Sequence, residues 1–502
     1  MRRAACGMRI QPHAIARRIP AGRMPTMSAQ APLLYERVAR LVETQISTGA
    51  LRAHDRIPSV RSMSRTAKVS VSTVVQAYVH LENIGLIEAR PQSGFYVRSP
   101  SAHALPQPRP KITRSKRPVS VATEVLDTCR EALTRKDVVP LNGAFTSPTL
   151  YPTQRLNNLM REVLRDYPMN AGECLLPPGL DELRRQVAKR LALGGAPVDP
   201  AHVVITGGTM DAIVLSLQVL CRPGDTVLVE SPTYFGLLQA IEHLSLRVVE
   251  VPNVPGMGID VEAVRSVAGS TKIAAAVLMP NFNNPTGSLT PDTAKREIVE
   301  TLTSIDVPII EDDIYGDLHY GSSRPSSMRA FDDSGLVISC GSVSKTIALG
   351  YRIGWAVTPQ FHAEIARAKF FSSVACPTLQ QLVLARYYAS GGYDRYLRKV
   401  RAVLAGNSQQ FIDAIARYFP SGTRAGRAAG GVVLWIELPL NVDGTELFRT
   451  ALASRIGIAP GVVFSAKADY RNFIRVSCGL AWTPTLERAL EKLGKLVTEM
   501  AR

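Results

Sequence analysis

The sequence lacks the features of membrane proteins and of disulfide-stabilised or zinc-binding proteins. Its 502 residues contain no apolar run that approaches the ~20 residues needed to cross a bilayer. Its seven cysteines are scattered, and no two of them form a CxxC pair. This pattern favours reduced thiols, so we expect a cytoplasmic protein with no metal site and no membrane partner. Because the chain is too long for one compact core, we expect a small and a large domain.

Acidic residues are scarce in the first quarter of the chain. Residues 1–120 hold 20 Lys and Arg against 5 Asp and Glu, a net charge of +15, whereas the rest of the chain holds 39 against 37, a net charge of +2. Because cations that neutralise phosphates release counterions, this asymmetry predicts a polyanionic partner, with a solvated basic tail as the alternative. We expect residues 1–33, with six arginines and no acid, to be a disordered extension. An organellar targeting segment, or a true start at Met24 or Met27, remains open.

Short periodic segments fill residues 34–98. Apolar spacing and the serines that precede the patterns predict helices at about 34–47, 60–68 and 71–83. Two short strands within 85–97 flank a Pro-Gln-Ser turn. Helix, turn, helix and wing form the arrangement that places one helix in a DNA major groove and a hairpin on the DNA backbone.

The sequence of this segment resembles the winged-helix domain of the GntR family of transcriptional regulators. The resemblance is carried by Arg56-Ile57-Pro58-Ser59-Val60-Arg61, Thr73-Val74 and Ala77-Tyr78, and it implies binding to double-stranded DNA. Val71 and Val75 depart from it, because relatives often carry arginine there, and they would contact thymine methyl groups instead. A winged helix that docks a protein is the alternative. The side chains expected to contact bases or phosphates are Arg52, Arg61, Arg65, Lys68, Ser72, Thr73, Gln76 and Arg90.

The rest of the chain divides into a connecting segment and a large α/β region. Residues 99–136 begin with a basic, proline-rich stretch, which predicts a semi-extended linker. From 137 to 502, apolar β-branched runs such as 203–205 and 308–310 alternate with helical patterns. Buried strands separated by helices predict an α/β domain with a largely parallel sheet.

Six short segments of this region supply the parts of one cofactor site. Glycines at 207 and 208, between a strand and a helix, let backbone N–H groups approach a phosphate, and Tyr234 can stack on a ring. Asp312 follows a buried strand and can hold a pyridine nitrogen protonated, and Lys345 supplies an amine. Each feature alone is also compatible with a turn or with packing, but together they describe pyridoxal phosphate. The expected cofactor-binding residues are Gly208, Thr209, Met210, Tyr234, Asn284, Asp312, Tyr315, Ser342, Ser344, Lys345 and Arg352.

Residues 137–502 resemble the aspartate-aminotransferase fold, which is fold type I of the pyridoxal phosphate enzymes. The resemblance implies that Lys345 attaches the cofactor, that Asp312 pairs with its ring nitrogen, and that Tyr234 completes the catalytic set. Arg475 matches the arginine that grips the α-carboxylate of an amino acid. Two departures weaken the case for brisk transamination. Met210 replaces a common side-chain donor, and the segment that begins at Cys174 replaces one that typically begins with tyrosine.

A winged helix joined to this fold is the architecture of the MocR-type regulators within the GntR family. The resemblance implies a head-to-tail homodimer, located in the cytoplasm with the bacterial nucleoid, which senses an amino acid or amine through pyridoxal phosphate. A working aminotransferase that carries a DNA-binding domain is the alternative. A third hypothesis is a regulator that responds to pyridoxal phosphate itself.

Overall fold

The computed structural model describes residues 34–52, 55–83, 86–90, 94–97, 105–110, 116–118, 122–168 and 172–502. The expected extension, 1–33, lies outside these residues. In the described part of the chain, no helix is both long and apolar enough to cross a membrane. The helices are α1 (Leu34–Ser47), α2 (Val60–Ala67), α3 (Val71–Asn83), α4 (Thr123–Thr134), α5 (Thr153–Asp166), α6 (Asp181–Leu193), α7 (Thr209–Leu220), α8 (Phe235–His243), α9 (Val261–Ser270), α10 (Asp292–Thr303), α11 (His362–Ser373), α12 (Thr378–Ala389), α13 (Gly392–Tyr418), α14 (Gly444–Ala453) and α15 (Pro484–Met500).

The strands belong to four sheets, one of which is the hairpin of the amino-terminal domain. They are β1 (Ile87–Arg90), β2 (Gly94–Val97), β3 (Lys116–Pro118), β4 (Val139–Pro140), β5 (Val203–Thr206), β6 (Thr226–Ser231), β7 (Arg247–Val254), β8 (Gly258–Ile259), β9 (Ala275–Leu278), β10 (Ile309–Asp312), β11 (Val337–Ser342), β12 (Gly354–Val357), β13 (Arg424–Ala425), β14 (Val433–Glu437), β15 (Ile456–Gly457), β16 (Ala459–Pro460) and β17 (Phe473–Ser477).

The amino-terminal elements form the expected winged helix. The Ser59 side chain accepts a hydrogen bond from the Ser62 N–H at 3.2 Å, which explains why α2 begins at Val60. Helices α1 and α3 pack together, and β1 pairs with β2 in an antiparallel hairpin. The fully buried Tyr78 of α3 donates its hydroxyl to the Pro58 carbonyl at 2.7 Å. This bond fixes α3 against the chain that leads into α2.

The connecting stretch 99–136 is more structured than the semi-extended linker that its composition predicts. Helix α4 occupies its end, with Leu126, Cys129 and Ala132 on the buried face. Strand β3 pairs antiparallel with β7 at the edge of the large sheet. The described residues 105–110 hydrogen-bond to β13 and β14 of a different sheet. The connection is therefore attached to the folded body at several points.

The large sheet has nine strands in the order β3-β7-β6-β9-β10-β11-β12-β5, with β8 paired to β7. Parallel pairing joins β7, β6, β9, β10 and β11, as the buried apolar runs predict. The sheet is mixed, however, because β12 pairs antiparallel with both β11 and β5. Strand β5 consequently runs in the same direction as β11.

A smaller antiparallel sheet, β13-β14-β17-β16, lies in the carboxy-terminal part of the chain. Its apolar side chains, including Leu434, Ile436 and Ile474, share one core with α13, α14 and α15. Helices α14 and α15 begin at side-chain caps, Asp443 and Thr483 respectively. The candidate site takes residues from this smaller sheet and from the large sheet.

Candidate functional site

Strand direction explains why distant segments of the chain meet at one place. Strands β5, β6, β9, β10 and β11 point the same way, so their carboxyl ends share one edge of the sheet. Because β12 runs in the opposite direction, the residues that precede it lie at the same edge. Side chains at a shared carboxyl edge of an α/β sheet commonly bind ligands.

A cavity of about 940 Å³, part of it open to solvent, lies at this edge. With the exception of Gly208, every residue expected to bind the cofactor or a substrate carboxylate lines it. Those residues are Thr209, Met210, Tyr234, Asn284, Asp312, Tyr315, Ser342, Ser344, Lys345, Arg352 and Arg475. The expected set is therefore brought together around a single cavity.

Lys345 points its amine into the cavity. The Nζ atom donates to the Ala144 carbonyl at 2.6 Å, and burial lowers the pKa of the amine to about 8, assisted by the positive charges of Arg475 and Arg352. A substantial fraction of the amine is consequently neutral near pH 8. A neutral amine is the form that attacks a carbonyl carbon.

Asp312 ends β10 and is 9% exposed. Burial raises the pKa of its carboxyl to about 7, although the Ile314 N–H donates to Oδ1 at 3.1 Å and lowers it in part. Such a carboxyl is poised to share a proton with a basic group that enters the cavity. The nearby Tyr315 hydroxyl donates to the Ala144 carbonyl at 3.2 Å, and burial raises the pKa of that phenol.

The junction of β5 and α7 has the shape of an anion cradle. Gly208 stands at φ +119°, and a Cβ atom there would lie 2.6 Å from Nη2 of Arg352. Arg352 donates to the Gly207 carbonyl at 2.8 Å and to Oγ of Ser344 at 3.2 Å. The buried Thr209 hydroxyl at the start of α7 has no hydrogen-bond partner among the described residues. A helix N-terminus, a guanidinium and an unsatisfied hydroxyl together suit a phosphate.

Arg475 enters the cavity from β17 of the small sheet. It is 1% exposed, and its guanidinium donates to Oδ1 of Asn284 at 3.1 Å and to the Asn142 carbonyl. Its Nε has no partner, and within the described residues no carboxylate forms an ion pair with it. Burial lowers its pKa because a desolvated cation is unfavourable. A ligand carboxylate would supply the missing charge partner.

The residues present fit pyridoxal phosphate. The anion cradle suits its phosphate, the Lys345 amine suits its aldehyde, and the Asp312 carboxyl suits its pyridine nitrogen. The unsatisfied Thr209 hydroxyl is the observation that most directly indicates a binding site for an anion, because buried hydroxyls normally have a hydrogen-bond partner.

The loop after β4 contributes groups that the sequence did not single out. The carbonyls of Asn142 and Ala144 accept from Arg475 and Lys345, while the Phe145 ring covers Gly143. Leu133 of α4 also lines the cavity. Backbone carbonyls carry no side-chain signature, and Leu133 lies in the stretch expected to be a linker. The helical spacing of the apolar residues Leu126, Cys129 and Leu133 could have predicted α4 from the sequence.

The winged helix exposes several of the side chains expected to contact DNA. Val71 and Val75 of α3 are 50% and 43% exposed. The Thr73 hydroxyl lies 2.7 Å from Oγ of Ser70. Exposed basic side chains are Arg52, Arg61, Arg65 and Lys68. The side chains of Ser72, Gln76 and Arg90 lie outside the described part of the structure.

Comparisons with known proteins match both parts of the chain. Residues 34–97 match the bacterial regulatory proteins of the gntR family, and residues 151–493 match aminotransferase class I and II. The chain is 37% identical to the HTH-type transcriptional regulator YdcR of Escherichia coli (strain K12), over 93% of this chain and 99% of that protein. It is 36% identical to YjiR, described likewise and from the same organism, over 92% of this chain and 98% of that protein.

Solved structures resemble the large region. Alpha-aminoadipate aminotransferase LysN of Thermus thermophilus, complexed with N-(5'-phosphopyridoxyl)-L-leucine, aligns with a TM-score of 0.70 at 29% identity, over 74% of this chain and 95% of that one. The kynurenine aminotransferase of Pyrococcus horikoshii, in complex with PMP, aligns with a TM-score of 0.71 at 25% identity, over 76% and 96% respectively.

Proposed function

The chain belongs to the class I and II aminotransferase family and carries an amino-terminal gntR-family domain, and we propose that it is a DNA-binding transcriptional regulator that responds to an amino acid or amine through bound pyridoxal phosphate. One observation carries this proposal. Lys345, Asp312 and Arg475 converge on a single cavity in a chain that also holds a winged helix.

Different groups around the cavity would bind different parts of the cofactor. Backbone N–H groups at the start of α7, the Thr209 hydroxyl and Arg352 would hold the phosphate. Asn284 and Tyr315 would hold the ring oxygen, and Tyr234 would stack on the ring face. When bound, pyridoxal phosphate supplies an aldehyde carbon for an amine and an electron-withdrawing ring.

The protein's own groups position an incoming amino acid. Arg475 binds the carboxylate, which fixes the distance between the ligand's amino group and Nζ of Lys345. With its pKa at about 8, the Lys345 amine can accept a proton or release one near neutral pH. When the cofactor is bound, the carboxylate of Asp312 would hold the ring nitrogen in its protonated form.

Regulation, rather than metabolic turnover, is the role that the relatives support. YdcR and YjiR match across nearly their whole length and are described as transcriptional regulators. Met210, which lines the cavity, also offers no side-chain N–H or O–H donor to a phosphate. We propose that the protein acts as a head-to-tail homodimer on paired DNA half-sites, in the cytoplasm with the nucleoid.

Visible absorbance tests the cofactor half of the proposal. The purified full-length chain should gain an absorbance band when pyridoxal phosphate is added, and Lys345→Ala should abolish that band. Lys399→Ala is the matched control, because Lys399 is exposed on α13 and does not line the cavity. A colourless wild-type protein at saturating cofactor would refute the proposal.

A measurement of transaminase turnover distinguishes a regulator from a working aminotransferase. Incubation of the loaded protein with an amino acid and a 2-oxo acid should leave both substrate pools unchanged, while DNA affinity responds to the amino acid. Repeated cycling with no effect on DNA affinity would identify an aminotransferase instead. A DNA affinity that changes with pyridoxal phosphate and with no amine would identify a sensor of the cofactor itself.

A further inference from the structure

An acidic side chain lies beside the anion cradle. Asp211 belongs to the first turn of α7, and its Oδ2 atom accepts from the Gly207 N–H at 2.6 Å. Gly207 directly precedes Gly208, the glycine that lets Arg352 come close. A carboxylate here occupies the same helix end that would attract a phosphate, and the two anions repel each other. The position of this acid therefore needs an explanation.

The Gly207 peptide is held by a charged side chain on each side. Its N–H donates to Asp211, and its carbonyl accepts from Nη2 of Arg352 at 2.8 Å. Because the two bonds fix the orientation of this peptide, they also fix the backbone that leads into Gly208, which stands at φ +119°. Asp211 thus acts on the shape of the cradle through a hydrogen bond, for which an oxygen acceptor is sufficient and a negative charge is not needed.

Lys369 of α11 balances the charge of Asp211. Its Nζ atom donates to Oδ2 of Asp211 at 2.8 Å and to Oγ of Ser373 at 2.7 Å, and the lysine is 3% exposed. A buried ammonium is tolerated when a carboxylate compensates it, and the compensation is mutual. Both bonds lie within one chain, so they do not depend on the groups that a partner subunit brings to the cavity.

We propose that Asp211 and Lys369 are positioning residues of the phosphate site: Asp211 holds the Gly207 peptide in place, and Lys369 cancels the negative charge that this arrangement sets beside the phosphate. This inference rests on the proposed function, in which the cradle binds the phosphate of the cofactor. Neither of these two residues lines the cavity. They act through the backbone at Gly207 and through the net charge of the pair.

Substitutions that alter the charge of the pair in opposite directions test this inference. Lys369→Met leaves Asp211 unbalanced, so the dissociation constant of pyridoxal phosphate should rise about fivefold. Asp211→Asn keeps an oxygen acceptor for the Gly207 N–H and removes the negative charge, so the constant should equal or fall below the wild-type value. The double variant is neutral again and should return close to the wild type.

Pyridoxal, which lacks the phosphate, separates an effect on the phosphate site from a general effect on the cavity. Absorbance titration of the cofactor-free protein gives a dissociation constant for each of the two compounds. Their ratio should change about fivefold in Lys369→Met, because only pyridoxal phosphate brings an anion to the unbalanced carboxylate. Inorganic phosphate is a probe that needs no absorbance band, and it should raise the thermal midpoint of the wild type more than that of Lys369→Met.

Lys295→Met is the matched control. Lys295 is a buried lysine whose Nζ donates at 3.2 Å to Oδ1 of Asp292, an acid in the first turn of α10, and it does not line the cavity. Its removal also breaks an ion pair at the start of a helix and should lower the thermal midpoint. The ratio of the two dissociation constants should nevertheless equal that of the wild type.

The outcomes separate this inference from the proposed function. A wild-type ratio in a folded Lys369→Met protein overturns the inference and leaves cofactor binding in place. A double variant that binds pyridoxal phosphate as weakly as Lys369→Met would assign the loss to packing of α11, which also overturns it. If Lys369→Met does not fold, weaker binding of pyridoxal phosphate by Asp211→Asn refutes the role of the charge. If the wild type gains no absorbance band, the proposed function fails, whereas the thermal shifts with inorganic phosphate still test the pair.

Discussion

The amine of Lys345 illustrates how one residue acquires its chemistry from its surroundings. Burial and the neighbouring guanidiniums of Arg475 and Arg352 lower its pKa to about 8, so protonation of the amine is lost as the pH rises through that value. We predict that the rate of pyridoxal phosphate attachment to the cofactor-free protein rises about tenfold per pH unit below pH 8 and levels off above it. Stopped-flow absorbance between pH 6 and 10 measures this profile.

The ionisation of the cofactor itself must be separated from that of the lysine. The same measurement with butylamine, whose amine has an ordinary pKa, supplies the reference for each pH. After division by this reference, a lysine with a pKa of about 8 gives a ratio that is constant below pH 8 and falls above it. A ratio that stays constant up to pH 10 would show that the Lys345 amine is not perturbed. The sign follows from burial, which disfavours the charged form of a lysine.

Side-chain identities allowed much of the candidate site to be anticipated. Lys345, Asp312 and Arg475 each carry a chemistry that is recognisable from residue type and flanking pattern, and the structure places all three around one cavity. The carbonyls of Asn142 and Ala144 could not be anticipated, because every residue has a carbonyl and only the fold decides where it points. The roles of the individual site residues remain predictions.

At the scale of elements, α2 and α3 present distinct kinds of DNA contact. We predict that Arg61→Ala lowers discrimination between the preferred DNA site and its single-base variants by about 1–3 kcal/mol, because a base-edge contact is lost. Arg65→Ala should weaken binding to all duplexes alike and reduce the salt dependence, as expected for a phosphate contact. Fluorescence anisotropy with duplexes selected by the purified protein measures both effects.

Either variant can contradict its assignment. Discrimination that is unchanged in Arg61→Ala would remove Arg61 from base reading. A loss in Arg65→Ala that differs between duplex sequences would show that this side chain also reads bases. Both arginines are exposed on α2, so neither substitution removes a buried contact.

The composition of the connecting segment predicts a semi-extended linker, whereas the structure shows parts of it bonded to the folded body. Proline-rich, basic sequence is typical of an extended linker, yet residues 105–110 dock on the small sheet through a carbonyl and an amide. The Pro106 carbonyl accepts from the Ala425 N–H at 3.1 Å, and the Arg109 N–H donates to Oε2 of Glu437 at 2.8 Å. Prolines lack an N–H donor but keep a carbonyl acceptor, so a proline-rich segment can still be hydrogen-bonded to its neighbours.

Two substitutions of Glu437 test its hydrogen bond with the Arg109 N–H, because alanine removes the acceptor and glutamine keeps one. We predict that Glu437→Ala accelerates amide hydrogen exchange at Arg109 by about 10- to 150-fold, because a charge-assisted bond worth about 1.5–3 kcal/mol is lost. Glu437→Gln is the control, since its amide oxygen still accepts from the N–H. Mass spectrometry of a peptide covering 105–110 resolves the effect, because proline leaves that stretch with amides only at Leu105, Gln107 and Arg109. Equal exchange in the three proteins would show that the bond is not protective.

At the scale of the whole molecule, the connecting segment touches both sheets that build the cavity. Residues 105–110 bond to β13 and β14, and β14 pairs with β17, which carries Arg475. Strand β3 instead joins β7 of the large sheet, the sheet that holds Asp312. A ligand carboxylate bound to Arg475 would therefore contact a strand whose neighbour, β14, holds one of the anchor points of the chain that leads to the winged helix.

Thermodynamic linkage gives the strictest test of communication between the two parts. If an amino acid such as L-leucine changes the affinity for a selected duplex by some factor, the duplex must change the affinity for that amino acid by the same factor. We predict a factor of about 5–150, which is the usual range of coupling between sites. Fluorescence anisotropy with and without leucine measures the change in DNA affinity, and the cofactor absorbance with and without duplex measures the change in leucine affinity.

A duplex of unrelated sequence should leave the leucine titration unchanged. Agreement of the two factors would show that both titrations report the same coupling between the two sites. A leucine effect on DNA affinity with no reciprocal effect would show that the two titrations do not start from the same species, as when the association of the chains also changes.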